Sequence, residues 1–347
     1  MTKRIVAVDL FCGVGGLTHG LLQSQIDVVA GFDIEEKCKY PYERNNTGAK
    51  FYLKDVAELS GEELKKLYPK GAIKLLAGCA PCQPFSKYSH GRDVKNDKKW
   101  PLLYEFSRLI REVEPELVTM ENVPDVIKHE VYSDFVLELK NQGYSVWAKK
   151  VYCPDYGLPQ VRKRHVLLAS KIGDISLLAP THESESYVSV QEAIGNLPRL
   201  NAGEQCQTDP LHRCASLSKV NLKRIRYSKP GGSWRDWPVE LRAKCHQKES
   251  GNTYSGVYAR MRWDQPSPTM TTQCFGYGNG RFGHPEQDRA ISLREAAIFQ
   301  SFPDNYQFLK DGEQLKLVDL GKMIGNAVPV KLGKVIGDSL SAHLKSH

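Results

Sequence analysis

The sequence predicts a doubly wound α/β domain joined to a smaller, irregular second domain. Short, almost continuous apolar segments recur through roughly the first 170 residues, as is typical of strands buried on both faces of a sheet. Helical patterns alternate with these segments, which favours a largely parallel sheet. From about residue 176 to 288 this alternation stops, and the chain is rich in Pro, Gly, Ser and basic residues.

Five apolar segments are the predicted strands. In chain order they are RIVAVDL (4–10), DVVAGFDI (27–34), AIKLLAG (72–78), ELVTMEN (116–122) and RHVLLAS (164–170). Helices are predicted for GVGGLTHGLLQS after the first strand and for PLLYEFSRLIREV before the fourth. Two more are predicted near the C-terminus, over residues 292–302 and 331–345.

Acidic residues and one cysteine follow the predicted strands. In doubly wound sheets, ligands bind beyond the carboxyl ends of the strands. The residues expected at that edge are Asp9, Asp33, Asp55, Cys82 and Glu121. We therefore expect the functional site there.

A glycine-rich turn, DLFCGVGG, joins the first strand to the first helix. Gly13, Gly15 and Gly16 would let the backbone approach a ligand closely, and Asp33 could accept hydrogen bonds from a ribose. The dinucleotide fingerprint G-x-G-x-x-G would need a glycine where Thr18 stands. By itself the turn fits a nucleotide-type ligand and simple tight packing about equally.

A C-x-x-C formed by Cys79 and Cys82 lies in the segment LLAGCAPCQPFS. Structural zinc usually needs a second close pair of ligands, and the sequence has no second C-x-x-C. A redox dithiol would fit the C-x-P-C pattern, but such motifs begin a helix, whereas a long polar segment follows here. Two structural cysteines in a turn, or one nucleophilic thiolate beside a second cysteine, remain open from the local sequence.

Composition narrows the class of protein. A hydrophobic content of 41% and a charged content of 25% are ordinary for a globular protein. Neither a signal-peptide layout nor a run of about 18 apolar residues appears, so we expect no membrane span. The net charge of +8 favours a polyanionic partner, and the nine scattered cysteines favour free thiols in a reducing cytoplasm. We expect no metal site.

Six blocks of the sequence, in order, resemble motifs of the DNA cytosine-5 methyltransferases. DLFCGVGG is similar to the methyl-donor loop of that family, and APCQPFS is similar to its nucleophile loop. ENV and QVRKR resemble the catalytic acid and arginine motifs, and REAAIFQSFPD and GNAVP resemble the last two motifs. The resemblance spans nearly the whole chain and favours the nucleophile interpretation over the redox one.

The family resemblance implies a particular fold and domain order. The fold would be the Rossmann-like sheet of class I S-adenosylmethionine-dependent methyltransferases, with an irregular target-recognition domain. Residues 1–175 would form the catalytic domain and residues 176–288 the target-recognition domain. Residues 289–347 would return to complete the catalytic domain, with the closing helix beside the first strand.

The resemblance also implies a catalytic set. Cys82 would add its thiolate to carbon 6 of cytosine. Glu121 would act as a general acid at ring nitrogen 3 and read the edge of the base. Arg164 would contact the pyrimidine oxygen, and Arg162 would support the loop or a phosphate. Cys79 lies where the family needs no thiol, so we expect it to pack near the strand end.

The implied methyl donor is S-adenosyl-L-methionine. Its methionine end would lie against Phe11, Gly13, Val14, Gly15 and Gly16. Its ribose and adenine would lie against Asp33, Ile34, Asp55 and Val56, with Asn326 and Val328 joining from the far end of the chain.

The implied substrate is double-stranded DNA with the target cytosine flipped out of the helix. We expect residues 83–100 to form a lid that closes on DNA, with contacts from Gln83, Ser86, Ser89 and Arg92. In the second domain, the basic and tryptophan-containing segment 219–237 and the segment 267–282 are the expected contact regions. The individual residues are Arg224, Arg226, Arg235, Thr269, Met270 and Thr271.

Two alternatives compete with this interpretation. The tRNA branch of the family has a Cys-Phe-Thr signature, whereas this chain has Cys274-Phe275-Gly276. Catalytically silent DNA-binding relatives typically lose the thiol or the acid, and both are present here. We expect a monomer on DNA, associated with the nucleoid in a bacterial cytoplasm. A cognate restriction endonuclease or another phage-defence component is the candidate protein partner.

Overall fold

The chain divides into two compact units. The computed structural model describes residues 4–81, 101–248, 251, 256–314 and 316–347. The first unit comprises Met1–Tyr156, Lys163–Pro180 and Ala327–His347, and the second comprises Gly157–Arg162 and Thr181–Asn326. Residues 289–326 therefore group with the second unit, not with the sheet. Compactness does not report function, so the predicted functional boundaries stay a prediction.

Seven strands form the sheet of the first unit, in the order β3-β2-β1-β4-β5-β7-β6. They are β1 (Ile5–Leu10), β2 (Asp27–Asp33), β3 (Lys50–Leu53), β4 (Ile73–Gly78), β5 (Leu117–Asn122), β6 (Ser145–Tyr152) and β7 (Lys163–Ser170). The first five strands are parallel to one another, and β7 runs antiparallel between β5 and β6. The strand order reverses between β1 and β4, which creates the switch point at which such sheets bind ligands. The doubly wound α/β class is confirmed.

Helices cover this sheet and occur sparsely in the second unit. Those of the first unit are α1 (Gly16–Gln23), α2 (Lys39–Asn45), α3 (Gly61–Lys65), α4 (Pro101–Val113), α5 (Glu130–Asn141) and α10 (Val330–Ser346). Those of the second unit are α6 (Val190–Ile194), α7 (Lys219–Tyr227), α8 (Leu293–Phe299) and α9 (Leu317–Asn326). The four predicted helices correspond to α1, α4, α8 and α10. In the described ranges, no helix has the length and apolar character needed to cross a membrane.

The C-terminal helix α10 packs on α1, the helix that follows the first strand. A Cβ added to Gly20 would lie 2.4 Å from the backbone nitrogen of Lys334, so only glycine allows this close approach. The hydroxyl of Ser24 donates a hydrogen bond to the carbonyl of Lys334 at 2.9 Å. The end of the chain is thereby held beside the turn between β1 and α1.

The core of the second unit is built around aromatic side chains. Trp234, Trp237 and Tyr277 pack with Ile225 of α7 in one buried cluster. The indole nitrogen of Trp237 donates to the hydroxyl of Ser228 at 2.9 Å. An irregular segment with few helices thus obtains its own core from large rings that bury much area per residue.

Candidate active site

A buried ion pair lies at the carboxyl edge of the sheet. Glu121 stands near the end of β5, and Arg164 stands near the start of the neighbouring antiparallel strand β7. The Nε atom of Arg164 lies 2.6 Å from Oε1 of Glu121, and only about a tenth of either side chain is exposed. The angles do not make this contact a hydrogen bond, and Oε1 has no hydrogen-bond partner among the described residues. A buried carboxylate oxygen in this state can accept a hydrogen bond from a ligand.

Asn122, the residue after Glu121, fixes the segment that leads to the predicted nucleophile. Its side-chain nitrogen donates to the carbonyl of Ala80 at 3.2 Å, and its side-chain oxygen accepts from the amide of Val123 at 2.8 Å. Asn122 is buried, so these bonds are shielded from competing water. Asn122 was not among the predicted site residues, although its place beside Glu121 at a strand end is the signal that could have found it.

Of the two cysteines in the C-x-x-C, the structure describes Cys79. Cys79 is half-buried directly after β4, and its amide donates to the carbonyl of Leu10 at 3.3 Å. Burial, with the nearby charges of Glu121 and Asp9, raises the pKa of the Cys79 thiol well above its usual range. Such a thiol is a poor nucleophile at neutral pH, as expected for a packing residue. Cys82 lies outside the described residues.

The predicted DNA contacts of the nucleophile loop also lie outside the described residues. They are Gln83, Ser86, Ser89 and Arg92, which belong to the expected lid over residues 83–100.

The glycine turn wraps around the carboxylate of Asp33. The amide of Gly13 donates to Oδ2 of Asp33 and the amide of Glu35 donates to Oδ1, both at 2.9 Å. Burial raises the pKa of Asp33, while these two amides oppose that shift. Gly13 and Gly15 have positive φ angles of 52° and 88°, and a Cβ added to Gly13 would meet no atom of the described residues within 4 Å. The turn therefore requires glycine and leaves open space in front of it.

A buried acid lies beneath the turn. Asp9, at 0% exposure, accepts a hydrogen bond from the hydroxyl of Thr18 at 2.7 Å, and Thr18 also contacts the hydroxyl of Tyr42 at 3.0 Å. Its other oxygen, Oδ1, has no hydrogen-bond partner in the described part of the chain. Burial, reinforced by the charge of Asp33, raises the pKa of Asp9 to about 7. Thr18, which rules out a dinucleotide fingerprint, thus serves to hold this acid.

The other residues predicted to contact the methyl donor differ in their exposure. Ile34, directly after β2, is 72% exposed, which is unusual for a large apolar side chain and leaves a free surface for a flat ring. Asp55 is half-buried and accepts from the amide of Ala57 at 3.0 Å. Val56 and Val328 are buried.

Four further residues complete the predicted set of contacts with the methyl donor. Phe11 is partly buried with a positive φ of 58°, and Val14 and Gly16 are buried in or beside the glycine turn. Asn326 is exposed and ends α9 in the second unit.

Three of the arginines predicted to bind DNA belong to the second unit, and their environments differ. Arg224 donates to the carbonyl of Leu241 at 2.7 Å, and its guanidinium lies over the rings of Trp237 and Tyr258. It is therefore engaged inside the unit, unlike the free basic side chain that we expected. Arg226 is exposed and pairs with Asp288, and Arg235 is exposed beside the ring of Trp234.

The exposed face of α7 is basic. Lys219, Lys223 and Arg226 are exposed at intervals of four and three residues, which places them on one face of the helix. Tyr227 is 56% exposed at the end of the same helix. The sequence indicates the basic run but not which of its members point outward.

Residues Thr269–Thr271 lie beside the segment that contains Arg162. The hydroxyl of Thr269 donates to the carbonyl of Val161 at 2.9 Å. Met270 and Arg162 are each 1% exposed, and Nη1 of Arg162 donates to the carbonyl of Met270 at 2.9 Å. Thr271 is half-buried. The paired arginines of QVRKR are therefore separated, since Arg164 faces Glu121 in the first unit and Arg162 is buried in the second.

Comparisons with known proteins give one consistent family. The family model of the C-5 cytosine-specific DNA methylases matches residues 5–342. The Type II methylase M.HgiDII of Herpetosiphon aurantiacus is 52% identical over 341 residues, which cover 97% of this chain and 95% of that protein. The Type II methyltransferase M1.HphI of Haemophilus parahaemolyticus is 30% identical, over 96% of this chain and 86% of that protein.

Solved structures show the same fold. A candidate DNA modification methyltransferase encoded within an Escherichia coli prophage superposes with a TM-score of 0.75 at 22% sequence identity. The match covers 99% of this chain and 100% of that one. The S. pombe Dnmt2 methyltransferase superposes with a TM-score of 0.61 at 17% identity.

Proposed function

Because the chain belongs to the C-5 cytosine-specific DNA methylase family, we propose that Cys82, Glu121 and Arg164 carry out its reaction. The protein is a DNA cytosine-5 methyltransferase that uses S-adenosylmethionine as its methyl donor. The tRNA alternative is not favoured, because the matching family model and the most similar relatives are those of DNA methylases. The finer roles given below are our proposals.

The observation that carries the catalytic assignment is the buried pair of Glu121 and Arg164 at the ligand edge of the sheet. The pair is held on two adjacent strands, so its geometry is rigid. Among the described residues, one oxygen of the carboxylate has no hydrogen-bond partner, and Arg164 supplies a fixed cation 2.6 Å away. A pyrimidine edge offers a ring nitrogen, an amino group and an oxygen, which match an acid and a cation side by side.

Cys82 would start the reaction by adding its thiolate to carbon 6 of the flipped cytosine. This addition makes carbon 5 nucleophilic and moves negative charge towards ring nitrogen 3 and the pyrimidine oxygen. Glu121 would hold a proton at nitrogen 3, and Arg164 would stabilise the charge on the oxygen. After methylation, removal of the carbon-5 proton by a base, which we take to be water, lets the thiolate leave and restores the aromatic ring.

The glycine turn and the residues around it fit the donor. Open space before Gly13, the hydrogen-bonding carboxylate of Asp33 and the exposed apolar side chain of Ile34 suit a methionine chain, a ribose and an adenine respectively. The sulfonium of S-adenosylmethionine, when bound, supplies an electrophilic methyl group. A cationic ligand would also be attracted by the acids Asp9 and Asp33 under the turn.

DNA contacts in the second unit are proposed for its exposed basic side chains. Lys219, Lys223, Arg226 and Arg235 carry positive charge at the surface, where phosphates can reach them. Thr269 and Thr271 are proposed as contacts near the flipped base. Arg224 is better assigned to packing, because its guanidinium already has partners inside the unit.

A restriction endonuclease is the proposed protein partner. Support comes from the Type II methylase names of the relatives at 52% and 30% identity. We propose that the chain acts as a monomer on double-stranded DNA, because one chain carries every motif that the reaction needs. With such a partner it would work on DNA in the bacterial cytoplasm.

Bisulfite sequencing of DNA from cells that express the chain tests this function. Cytosines within one short recurring sequence should resist conversion, whereas DNA from cells with an empty vector should convert. Bisulfite treatment of tRNA from the same cells serves as the control for the alternative substrate. Full conversion of the DNA, or protected cytosines in tRNA alone, would contradict the proposal.

A further inference from the structure

A loop and the end of a helix, both in the second unit, meet at the buried side chain of Arg162. Its Nη1 atom donates to the carbonyl of Met270 at 2.9 Å, and its Nη2 atom donates to the carbonyl of Gly325 at 3.3 Å. Met270 lies in the segment Thr269–Thr271, and Gly325 lies in the last turn of α9. One guanidinium therefore bridges two segments that are far apart in sequence.

Gln160 holds Arg162 in this position. Its Oε1 atom accepts from the amide of Met270 at 2.7 Å and from Nη1 of Arg162 at 3.3 Å. Its Nε2 atom donates to the carbonyl of Phe299 and to Oε1 of Gln300, both at 2.9 Å. Both ends of this fully buried amide are thus satisfied, which gives the bridge a defined geometry.

Close backbone packing brings the second carbonyl within reach. A Cβ added to Gly325 would lie 2.3 Å from the carbonyl carbon and oxygen of Thr271, so the end of α9 lies directly on that segment. A planar guanidinium with two terminal nitrogens can serve two carbonyls at once, whereas a lysine ammonium presents a single point of charge.

We propose that Arg162 is a positioning residue that couples the DNA-side loop Thr269–Thr271 to the donor-side residue Asn326. This inference rests on the proposed function, which gives those residues their ligands. Thr269 is tied to Val161, the residue before Arg162, and Asn326 follows Gly325. Arg162 touches neither the cytosine nor the methyl donor. Its loss releases the loop Thr269–Thr271 and the end of α9 together.

The test compares Arg162→Lys with a matched control, Arg294→Lys, in the full chain. Arg294 is also mostly buried in the second unit, where its Nε pairs with Asp209 at 2.6 Å. It belongs to neither of the two segments that Arg162 bridges. Calorimetry would measure the Kd of S-adenosylmethionine, steady-state kinetics the KM for DNA and kcat, and thermal unfolding the Tm.

Arg162→Lys should raise the Kd for donor and the KM for DNA together, each by about tenfold, as expected for loss of a charged hydrogen bond. The change in kcat should be smaller. Arg294→Lys should lower Tm and leave both binding constants at the wild-type values. Thr269→Val is the second variant, should Arg162→Lys not fold. It loosens the same bridge from a less buried position, and it should raise the donor Kd although Thr269 is not a donor contact.

Three results would overturn the inference. A lower Tm for Arg162→Lys with both constants unchanged would make Arg162 merely structural. A loss of kcat alone would place it against the reacting base. An unchanged Kd of S-adenosylmethionine in Thr269→Val would show that the loop Thr269–Thr271 and the end of α9 are not coupled. Failure of the wild-type chain to bind S-adenosylmethionine is a separate outcome, since it would remove the proposed function and this inference with it.

Discussion

The first unit keeps its key charged pair at the edge of a sheet, whereas the second unit places arginines inside its core. In the first unit, Glu121 and Arg164 stand where two strands meet the ligand edge. In the second, guanidinium groups donate to main-chain carbonyls of the loops, and the described arginines that do so include Arg162, Arg224, Arg242, Arg260 and Arg289. Strands satisfy their own carbonyls through the sheet, but irregular loops need side-chain donors for theirs.

Arg260 shows how far this use of arginine extends. Its side chain is almost fully buried and donates to four main-chain carbonyls, those of Ile225, Ser228, His284 and Gln287. An arginine has five N–H donors, more than any other side chain, and so can hold several loops in place. Part of the net charge of +8 therefore serves internal structure, and the basic composition alone does not locate a DNA-binding surface.

Among the residues that the structure describes, the largest effect on activity is expected at the ionic pair of the first unit. Glu121→Gln should lower kcat by about 10²- to 10⁴-fold, the usual contribution of a general acid. Donor binding should persist, because Asp33 and the glycine turn are unchanged. Single-turnover methylation with saturating donor measures the loss. A variant with nearly full kcat would show that the charged pair at the sheet edge is not the catalytic group.

The largest effect on stability is expected inside the second unit. Arg260→Met should lower the free energy of unfolding by about 3 kcal/mol or more, because it removes the charged donor to the carbonyls of Ser228 and His284 and to Oδ1 of Asp288. Arg226→Met is the matched control, since Arg226 pairs with the same Asp288 from an exposed position and should cost less than about 1 kcal/mol. Urea unfolding compares the two. Equal losses would refute the distinction between internal and surface arginines.

The buried acid under the glycine turn predicts a pH dependence confined to the first unit. The folded pKa of Asp9 is raised to about 7, so the folded state binds its proton more tightly than the unfolded state does. This stabilisation should be complete below about pH 4 and should be lost as the pH rises through about 7, by up to about 1.4 kcal/mol per pH unit.

Asp9→Asn removes the titrating group, so a comparison of the wild type with this variant isolates the contribution of Asp9. The wild type should become less stable relative to Asp9→Asn as the pH rises from about 4 to 7, and the difference should level off above that. Unfolding curves without donor, measured at several pH values, give the comparison. A constant difference across this range would mean that Asp9 keeps an ordinary pKa.

The smallest effect is expected at the surface of the second unit. Lys223→Ala should weaken DNA binding modestly and reduce the slope of log affinity against log salt by about 1, as loss of one phosphate contact predicts. Its neighbour Arg224 points inward, so Arg224→Met should lower Tm while leaving the salt slope unchanged. Fluorescence anisotropy at several salt concentrations distinguishes them, and the reverse pattern would reassign the two residues.

Continuous apolar runs made the central strands predictable. β1 and β5 are buried along their whole length; β1 is apolar except for Asp9, and β5 begins with a mostly apolar run and ends in the polar pair Glu121 and Asn122. β6 was not predicted, because as an edge strand it exposes Lys149 and Lys150 and lacks such a run.

Strand ends also made Glu121 predictable as a site residue, since each parallel strand delivers its last residues to the same edge. The environments of Arg162 and Arg224 could not be predicted in this way. Their partners are carbonyls of distant loops, and a carbonyl is present in every residue, so no sequence pattern marks the ones that need a donor.

The central claim is that Cys82 and not Cys79 is the nucleophile, and covalent trapping tests it most directly. DNA that carries 5-fluorocytosine at the target cannot lose its carbon-5 substituent, so wild-type enzyme with S-adenosylmethionine should remain joined to it. Peptide mapping should place the adduct on Cys82; Cys82→Ala should form no adduct and methylate nothing, while Cys79→Ala should retain both activities. An adduct on Cys79, or methylation that survives in Cys82→Ala, would contradict the account.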